Sequence, residues 1–507
     1  MTTTSVLIVG AGSAGSVVAR RLVDAGLDVT LVEAGGEDTN PAIHDPAGLP
    51  ALWHGPEDWD HHTIPQEHAA GRRLHLPRGR VLGGSHALNA MIWVRGHASD
   101  FDHWAAQGAA GWSWEDVSPV YREIEAYAGG PASPSRGTEG PLPVADGYPL
   151  APIQVSIIEA WQQEGIVRNP DYNAGELDGV SQQQVTIADG RRVNTWMAYA
   201  APVRDRLRVR TGVHVHSVIV EDGRAVGIRY LREGEEHEER ADVVVLSAGA
   251  LDSPAILQRS GIGPAALLDG LGIPVVADLP GVGANLHDHL LSPVIFTTDT
   301  VVEPPAPGMS LTQSHAFWRS RPDLAVPDTQ PIHFSVPMFG DDLEPTAEWG
   351  FTLLAGILAP RSRGHVRITG PGAEDPLEID LQALADDEDV RALVASVRQC
   401  RSVGRRPALA AQWGAREIYP GPDIDDDDIE DYVRRTAITY HHQVGTCRMG
   451  VDEAAVVDPR LRVRGIDGLR VIDASIMPRV TTGNTNAPAI LIGELGARFL
   501  LDDLADA

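Results

Sequence analysis

Lysine is absent from this sequence of 507 residues, and all 41 basic residues are arginine. Without lysine, the chain cannot form a Schiff base with a carbonyl substrate through a side-chain amine. Cysteine is also rare. The chain has two cysteines, Cys400 and Cys447, far apart in sequence, so we expect neither a disulfide framework nor a cysteine metal site. This usage is typical of a reducing cytoplasm, which is the predicted location.

Long apolar runs and positive charge are scarce as well. No stretch of 18 apolar residues occurs, so no membrane-spanning helix is expected. The first residues do not combine a charged segment with an apolar one, so no secretory signal is expected. Acidic residues number 70 against 41 basic ones, giving a formal net charge of −29. Such a charge disfavours nucleic acid and anionic membranes as partners and is typical of a solubilising surface.

The first stretch of the chain predicts a nucleotide-binding unit. An apolar strand pattern at 6–9 leads into the sequence GAGSAG at 10–15. A helical pattern follows at 16–25, and a second strand pattern at 28–32 ends at Glu33. A strand, a glycine turn, a helix and a second strand that ends in an acid make up the dinucleotide-binding fingerprint.

Each part of this fingerprint has a physical role. Gly10 permits the tight turn, Gly12 lets the backbone approach a pyrophosphate, and Gly15 lets the helix pack on the strand. The helix N-terminus offers free N–H groups and a positive dipole end to phosphates. Glu33 would accept hydrogen bonds from the adenosine ribose, and an acid there argues against the 2′-phosphate of NADP. The motif does not separate FAD from NAD, and a glycine-rich turn of another α/β protein is the alternative.

Later segments indicate that the chain leaves this sheet and returns to it. Residues 241–246 form another buried-strand pattern that ends in glycine, and residues 469–472 form a short strand pattern that ends at Asp473. Between them, residues 301–350 are dense in proline and show no dominant period. We therefore predict an interrupted nucleotide-binding domain with a second domain threaded through it.

Four motifs stand in a fixed order along the remaining chain. Residues 79–89 read GRVLGGSHALN, 249–263 read GALDSPAILQRSGIG, and 440–450 read YHHQVGTCRMG. Residues 473–488 read DASIMPRVTTGNTNAP. With these motifs the sequence resembles the glucose-methanol-choline (GMC) family of FAD-dependent alcohol oxidoreductases, from about residue 5 to about residue 500. The length and the carboxyl-terminal third are most similar to the choline-oxidase and alcohol-oxidase branch.

The resemblance implies an α/β fold: a Rossmann-type FAD-binding domain interleaved with an α+β substrate-binding domain of antiparallel sheet and helices. Residues 1–146, 195–295 and 440–507 are assigned to the FAD-binding domain, and residues 147–194 and 296–439 to the substrate-binding domain. FAD is the implied cofactor. The implied contacts of its ADP half are Gly10, Gly12, Ser13, Ala14, Gly15 and Glu33, with Val215 at the adenine. Those of its flavin half are Gly83, Asn89, Ala90, Ile92, Asp473, Ala474, Asn484 and Asn486.

The family's catalytic pair falls on His442 and Asn484. A histidine with a pKa near about 6.5 suits removal of an alcohol proton at neutral pH. Asn484 cannot act as a base, but its amide can donate a hydrogen bond to the hydroxyl and orient it. The implied reaction is oxidation of a primary alcohol to the aldehyde, with hydride passing to flavin N5. O2 is the expected acceptor and another acceptor is the alternative; a monomer or homodimer is expected.

The substrate class follows from one departure from the choline-oxidase branch. A quaternary ammonium needs an aromatic cage or a carboxylate. Where that branch places its carboxylate, around residues 308–318, this chain has Gln313 and Ser314. We expect a neutral aliphatic or benzylic alcohol, with a choline dehydrogenase or oxidase as the alternative. A hydroxynitrile-lyase-like, non-redox enzyme on the same fold is the alternative of another class, and an NAD-linked dehydrogenase is a third.

A second departure concerns how the flavin is held. In relatives similar to choline oxidase, a histidine at the place of Leu88 attaches covalently to FAD, and leucine cannot form that bond. His86 lies two residues earlier, which displaces it by roughly 6–7 Å on an extended backbone. We therefore predict non-covalent FAD.

Several other polar segments have weaker interpretations. Residues 287–289, His-Asp-His, have a metal-like composition, but a third ligand is not evident and the segment resembles a structural loop of the family, so no metal is expected. Residues 58–62, Asp-Trp-Asp-His-His, either line the mouth of the site or cap a loop. Asn486 followed by Pro488 predicts a helix start that the Asn486 side chain caps. Four aromatic residues either line the substrate pocket or pack in the core: Phe317, Trp318, Phe334 and Phe339.

Overall fold

The computed structural model describes residues 4–130, 133–340, 342–425 and 428–506. A five-stranded parallel sheet organises the first part of the fold. In spatial order, its strands are Arg208–Arg210, Asp28–Val32, Ser5–Val9, Val243–Leu246 and Leu469–Val471. The four strands other than Arg208–Arg210 are almost entirely buried, which is typical of parallel strands covered on both faces. The predicted return of the chain to this sheet is confirmed.

Helices Ser13–Asp24 and Asn486–Ala505 pack against each other beside this sheet. The first follows the glycine turn, and the second closes the chain. Their contact brings the last helix of the chain against the helix that follows the glycine turn. The other α-helices are Pro41–His44, Ala98–Ala106, Trp114–Ile124, Pro152–Gln163, Gly249–Arg259, Ala265–Gly270, Asp387–Gly404, Pro407–Ala410 and Ile429–Thr436.

A second, antiparallel sheet forms the other large layer. Its strands run in the order Arg416–Tyr419, Leu290–Thr297, Gly350–Gly356, Ile332–Phe334, Thr312–Phe317 and Gly179–Gln182, and Ile438–Thr439 also pairs with Leu290–Thr297. Helix Asp387–Gly404 packs on three of these strands, Leu290–Thr297, Gly350–Gly356 and Arg416–Tyr419. The predicted α/β class, with an α+β part built on an antiparallel sheet, is confirmed. Strand Leu290–Thr297 runs across residue 295, where the sequence divides the two domains, and the division itself stays a prediction.

Smaller sheets complete the fold. A three-stranded antiparallel sheet contains His214–Glu221, Arg224–Arg232 and Glu235–Arg240. Five two-stranded pairs are His61–His62 with His75–Leu76, Glu125–Ala128 with Leu142–Ala145, Ile187–Ala188 with Arg191–Arg192, Ile262–Gly263 with Ala277–Asp278, and His365–Ile368 with Leu377–Asp380. Within the described ranges, no helix combines the length and the apolar character needed to cross a bilayer.

The start of the last helix differs from its prediction. The helix begins at Asn486, and the residue before it, Thr485, makes no side-chain cap. Asn486 is therefore the first helical residue, and its Oδ1 accepts a hydrogen bond from Ser13 Oγ at 2.6 Å. The predicted N-cap role of Asn486 is wrong because the tertiary contact with the first helix takes up the side-chain oxygen that would cap the last one.

Candidate active site

A large cavity opens at the carboxyl edge of the parallel sheet. Val9 and Val32, the last residues of their strands, line it, and so do Ser247 and Asp473, which follow two other strands. The crevice beyond the carboxyl ends of parallel strands is the usual ligand site of open α/β sheets. The antiparallel sheet supplies the facing wall, for example Leu291 and Leu354.

Most of the predicted site residues meet at this one cavity. Those that line it are Gly10, Gly12, Ser13, Ala14, Glu33, Asn89, Ala90, Ile92, Val215, His442, Asp473, Ala474, Asn484 and Asn486. Gly15 and Gly83 do not line it. A Cβ on Gly15 would overlap Gly10 O, so this glycine sets the contact of helix and strand. Gly83 N donates to Ala11 O at 3.0 Å, so this residue supports the glycine turn from behind. The helix-packing role of Gly15 is the one that the fingerprint predicts, and the contact of Gly15 and Gly83 with the cofactor stays a prediction.

The glycine turn makes room for a ligand by bringing two backbones together. A Cβ on Gly84 would lie 2.7 Å from Gly12 Cα, so side chains are excluded where the two loops meet. Gly12 is also the N-cap of the first helix and offers no side chain to its free N–H groups. These groups and the helix dipole favour an anion at this point of the cavity.

Glu33 is held by the same turn. Its Oε2 accepts from Ala11 N at 3.0 Å, and its Oε1 accepts from Gly35 N at 2.9 Å. Burial raises the pKa of this carboxyl to about 7, against the opposing effect of the two N–H donors. The acid therefore serves the glycine turn as well as the cavity wall that it shares with Val215.

His442 lies at the wall of the cavity and is hydrogen-bonded on both ring nitrogens. Its Nδ1 is 2.9 Å from Nδ1 of His289, and its Nε2 is 3.3 Å from Nδ2 of Asn484. His289 Nε2 in turn lies 3.0 Å from the carbonyl oxygen of Leu358. All three side chains are buried.

These contacts assign the protons of both histidines. A carbonyl oxygen only accepts, so Nε2 of His289 carries a hydrogen and donates it to Leu358 O. Burial lowers the pKa of His289 to about 3, so its ring is neutral and its Nδ1 has a free lone pair. The hydrogen between the two Nδ1 atoms therefore belongs to His442, and Nε2 of His442 keeps an unprotonated lone pair on the side of Asn484.

Asn484 is oriented by a further buried amide. Gln330 Nε2 donates to Asn484 Oδ1 at 3.1 Å and lies 3.2 Å from Nδ1 of His315. With its oxygen taken by Gln330, Asn484 presents its NH2 group to His442. The NH2 group of Asn484 is thereby oriented to donate a hydrogen bond into the cavity beside His442.

The backbone at His442 is fixed from both sides. His442 N donates to Asp288 Oδ1 at 2.8 Å, and Gln443 Nε2 donates to Asp288 Oδ2 at 2.5 Å. The preceding residue, His441, has a left-handed φ of 63°, and its carbonyl accepts from Arg78 Nη2 at 2.6 Å. A non-glycine residue in this region is strained and persists where its surroundings hold it.

Burial also sets the electrostatics of the pair. The pKa of His442 is held well below its ordinary value by burial first, and then by His289, His441 and Arg78. The Tyr440 ring stacks on the imidazole, with ring centroids 4.3 Å apart and an angle of 23° between planes. The His442 imidazole is therefore neutral and shielded from water.

Sequence reasoning missed the partners of the pair. Residues 287–289 were interpreted as a structural loop, which holds for His287 and Asp288, but His289 contacts the ring of His442. Gln330 sits in a proline-rich stretch that carries no local motif. Of the four aromatic candidates, Phe334 and Phe339 line the cavity, whereas Phe317 and Trp318 are not among its lining residues.

Comparison with known proteins identifies the family. Two family models described as GMC oxidoreductase match residues 4–291 and 360–493. The chain belongs to the GMC oxidoreductase family. An alcohol dehydrogenase (acceptor) of Pseudomonas putida is 37% identical over 98% of this chain and 95% of its own. The crystal structure of pyridoxine 4-oxidase from Mesorbium loti superimposes with a TM-score of 0.92 at 38% identity, covering 98% of this chain and 99% of that one.

This GMC oxidoreductase is an FAD-dependent flavoprotein of a family that acts on CH–OH donors. A formate oxidase of Aspergillus oryzae, studied for FAD modification, superimposes with a TM-score of 0.91 at 25% identity, over 100% of this chain and 99% of that one. The residues present fit the cofactor. One cavity is lined by the contact of Gly12 with Gly84, where side chains are excluded, and by the free N-terminus of the first helix. The polar pair His442 and Asn484 lines the same cavity.

Proposed function

We propose that this GMC oxidoreductase oxidises a neutral primary alcohol to the aldehyde, with His442 as the base. One observation carries the proposal: the unprotonated Nε2 of His442 and the amide of Asn484 stand 3.3 Å apart at the cavity wall. A hydroxyl placed between them would accept from Asn484 Nδ2 and donate to His442 Nε2. Bound FAD supplies the hydride acceptor, flavin N5.

In the proposed mechanism, the proton is removed in a buried site whose acceptor and donor are already oriented by hydrogen bonds within the protein. His442 takes the hydroxyl proton on Nε2, while its Nδ1–H stays bonded to His289. Asn484 Nδ2 donates to the alkoxide oxygen as charge develops there, which is strongest where water is excluded. Gln330 keeps this amide from turning, since it holds Asn484 Oδ1.

The walls of the cavity support a neutral substrate. The antiparallel sheet contributes Ile332, Phe334 and Leu354. Among the described lining residues, the acids are Glu33, Asp252, Asp342 and Asp473, and each has a partner in the protein. A quaternary ammonium would find no free carboxylate among them. The names of the two relatives, an alcohol dehydrogenase and a pyridoxine 4-oxidase, support an alcohol substrate; it is the cavity wall that disfavours the choline alternative.

The proposed function is tested by anaerobic reduction of the holoenzyme. A panel of aliphatic alcohols, benzylic alcohols, pyridoxine and choline is mixed with the protein without oxygen, and the flavin absorbance is followed. Bleaching by neutral alcohols supports the proposal, and reoxidation by air then supports O2 as the acceptor. Bleaching by choline alone would favour the alternative of a choline dehydrogenase or oxidase. Release of cyanide from a cyanohydrin without bleaching would establish the lyase alternative.

FAD is expected to leave the protein on acid precipitation, giving a colourless pellet and free FAD in the supernatant. Leu88 lines the cavity at the place of the covalent histidine of some relatives. His86, two residues earlier, is buried, and its ring nitrogens lie 3.2 Å from Thr186 Oγ1 and 3.3 Å from Thr195 N. Its side chain is thus engaged within the protein, and His86 is not among the residues that line the cavity. Absorbance spectra of pellet and supernatant make the measurement, and a yellow pellet would contradict it.

The rate of flavin reduction is expected to stay constant as the pH falls through about 6.5, the ordinary pKa of histidine. Burial keeps the pKa of His442 well below that value, so the base remains unprotonated. Activity should be lost only when the pH reaches the lowered pKa. Stopped-flow reduction at saturating alcohol across the pH range makes the measurement. A one-proton loss of rate with its midpoint at or above the ordinary pKa would be inconsistent with this environment.

A further inference from the structure

A second cluster of histidines and carboxylates lies outside the catalytic pair. His54 Nδ1 is 2.7 Å from Asp60 Oδ1, and His75 Nε2 is 3.1 Å from the same oxygen. The three atoms all lie within 4.8 Å of one another. We propose that His54, Asp60 and His75 form a binding site for a transition-metal cation of the Zn²⁺ class beside the cavity.

The donor atoms match such a cation in type and spacing. Zinc binds imidazole nitrogen and carboxylate oxygen at about 2.0–2.2 Å, so its tetrahedral ligands lie about 3.3–3.6 Å apart. The two nitrogen–oxygen distances, 2.7 and 3.1 Å, are those of hydrogen bonds, and with all three atoms within 4.8 Å of one another the donors reach this spacing through small shifts of the side chains. Two nitrogens and one oxygen favour zinc, nickel or copper, whereas calcium and magnesium prefer oxygen alone.

One buried carboxylate ties together the three segments that carry the donors. Asp58 Oδ2 accepts from His54 N at 3.1 Å, and Asp58 Oδ1 accepts from Asp60 N at 3.0 Å and from Arg78 N at 2.9 Å. His75 Nε2 also lies 3.3 Å from Asp58 Oδ2. Asp58 is therefore a positioning residue. From the protein interior, its carboxylate holds the backbones of His54 and Asp60 and lies against the ring of His75.

The loop that carries two of the donors is held in an unfavourable conformation. His54 and Asp60 both have left-handed backbones, with φ of 57° and 53°. Neither is glycine, so the hydrogen bonds of Asp58 must maintain both. The result is that two side chains of a seven-residue loop, 54–60, converge on His75 of the neighbouring strand pair, His61–His62 with His75–Leu76.

The cluster is open to solvent on one side and has a favourable charge. The side chains of His54 and Asp60 are 50% and 46% exposed, against 13% for His75, so an ion and a water ligand can reach the donors. Asp58 and Asp60 provide two negative charges. The guanidinium of Arg78 does not neutralise these charges directly, because it donates hydrogen bonds to Pro77 O and His441 O.

The cluster adjoins the catalytic cavity through one aromatic side chain. Trp53 lines the cavity, and its ring meets His75 edge-on with centroids 6.2 Å apart and His441 with centroids 5.1 Å apart. A metal at the cluster would join the loop that carries Trp53 to the strand that carries His75. The proposed metal thus braces the part of the cavity wall that Trp53 forms, and it takes no part in the proposed alcohol chemistry.

The test measures metal binding to tag-free holoenzyme that has been treated with a chelator. Zn²⁺ is titrated in competition with a chromophoric chelator for the parent, His54→Ala, Asp60→Asn and the control His103→Ala. His103 is exposed on helix Ala98–Ala106. Within the part of the chain that the structure describes, its ring is hydrogen-bonded to Gln107, one turn later on the same helix. We expect one Zn²⁺ per chain, with affinity lowered by more than about 10-fold in the first two variants and unchanged in the control.

A thermal measurement separates binding at this site from weak binding elsewhere. An ion that binds only the folded state raises Tm by mass action. Zn²⁺ should raise Tm of the parent and of His103→Ala, but not of His54→Ala, while the FAD absorbance shows that each variant is folded. Absence of saturable binding to the parent, or equal affinity in all four proteins, would overturn the proposal and leave the cluster a set of His–Asp ion pairs. Neither result bears on alcohol oxidation.

Discussion

Replacing His442 with alanine is expected to slow flavin reduction by about 10²–10⁴-fold, because the alcohol then loses its positioned base. The substrate hydroxyl must give its proton to solvent in a site that excludes water, so the residual rate should rise with pH. Stopped-flow reduction with the best alcohol of the panel makes the measurement. The cavity wall loses one ring and no charge, because His442 is neutral.

Two controls separate chemistry from folding in this variant. Its FAD content and visible spectrum should match the parent, since the hydrogen bonds that hold the glycine turn come from Glu33, Val32 and Gly83 and not from His442. Dithionite should reduce its flavin as readily as that of the parent, because this reaction needs no base. A His442→Ala protein that oxidises alcohol at the parental rate would rule out the assigned role.

Replacing His289 with phenylalanine is expected to lower the rate of flavin reduction by roughly 10- to 10³-fold, bounded by what the base itself contributes. Phenylalanine cannot accept from His442 Nδ1–H, so the proton of His442 is no longer assigned to that nitrogen. A fraction of His442 then carries its hydrogen on Nε2 and cannot take the alcohol proton. Because His289 acts through His442, it is a positioning residue.

His289→Gln is the matched variant. A glutamine oxygen can accept from His442 Nδ1–H, and its NH2 group can donate to Leu358 O, which reproduces both bonds of the native ring. We expect this variant to recover most of the rate that His289→Phe loses, with KM for the alcohol little changed in either. Equal losses in both variants would indicate that the ring supports packing alone, and an unchanged rate in His289→Phe would exclude the tautomer argument.

The fold and the cofactor end of the site could be predicted because their signals are local. Gly10, Gly12 and Gly15 lie within six residues where the strand turns into the helix, and Glu33 directly follows the strand that comes after this helix. The buried strands show as short apolar runs for the same reason. Gly15 packs the helix against the glycine turn and Gly83 holds that turn through Ala11 O, and the contact of both with the cofactor stays a prediction, because a motif does not say which of its residues the backbone turns to the ligand.

The sequence alone determined the nucleotide fingerprint, the interrupted order of the chain and the family, since each depends on residues close together or on motifs in a fixed order. Only the tertiary structure decided which partners surround the proposed base. His289 and His442 are 153 residues apart, and Gln330 and Asn484 are 154 apart. Their protons are assigned by contacts across the antiparallel sheet and the carboxyl-terminal loops. Such contacts leave no periodicity in the chain, because hydrogen bonds between distant segments depend on how the sheets pack and not on local sequence.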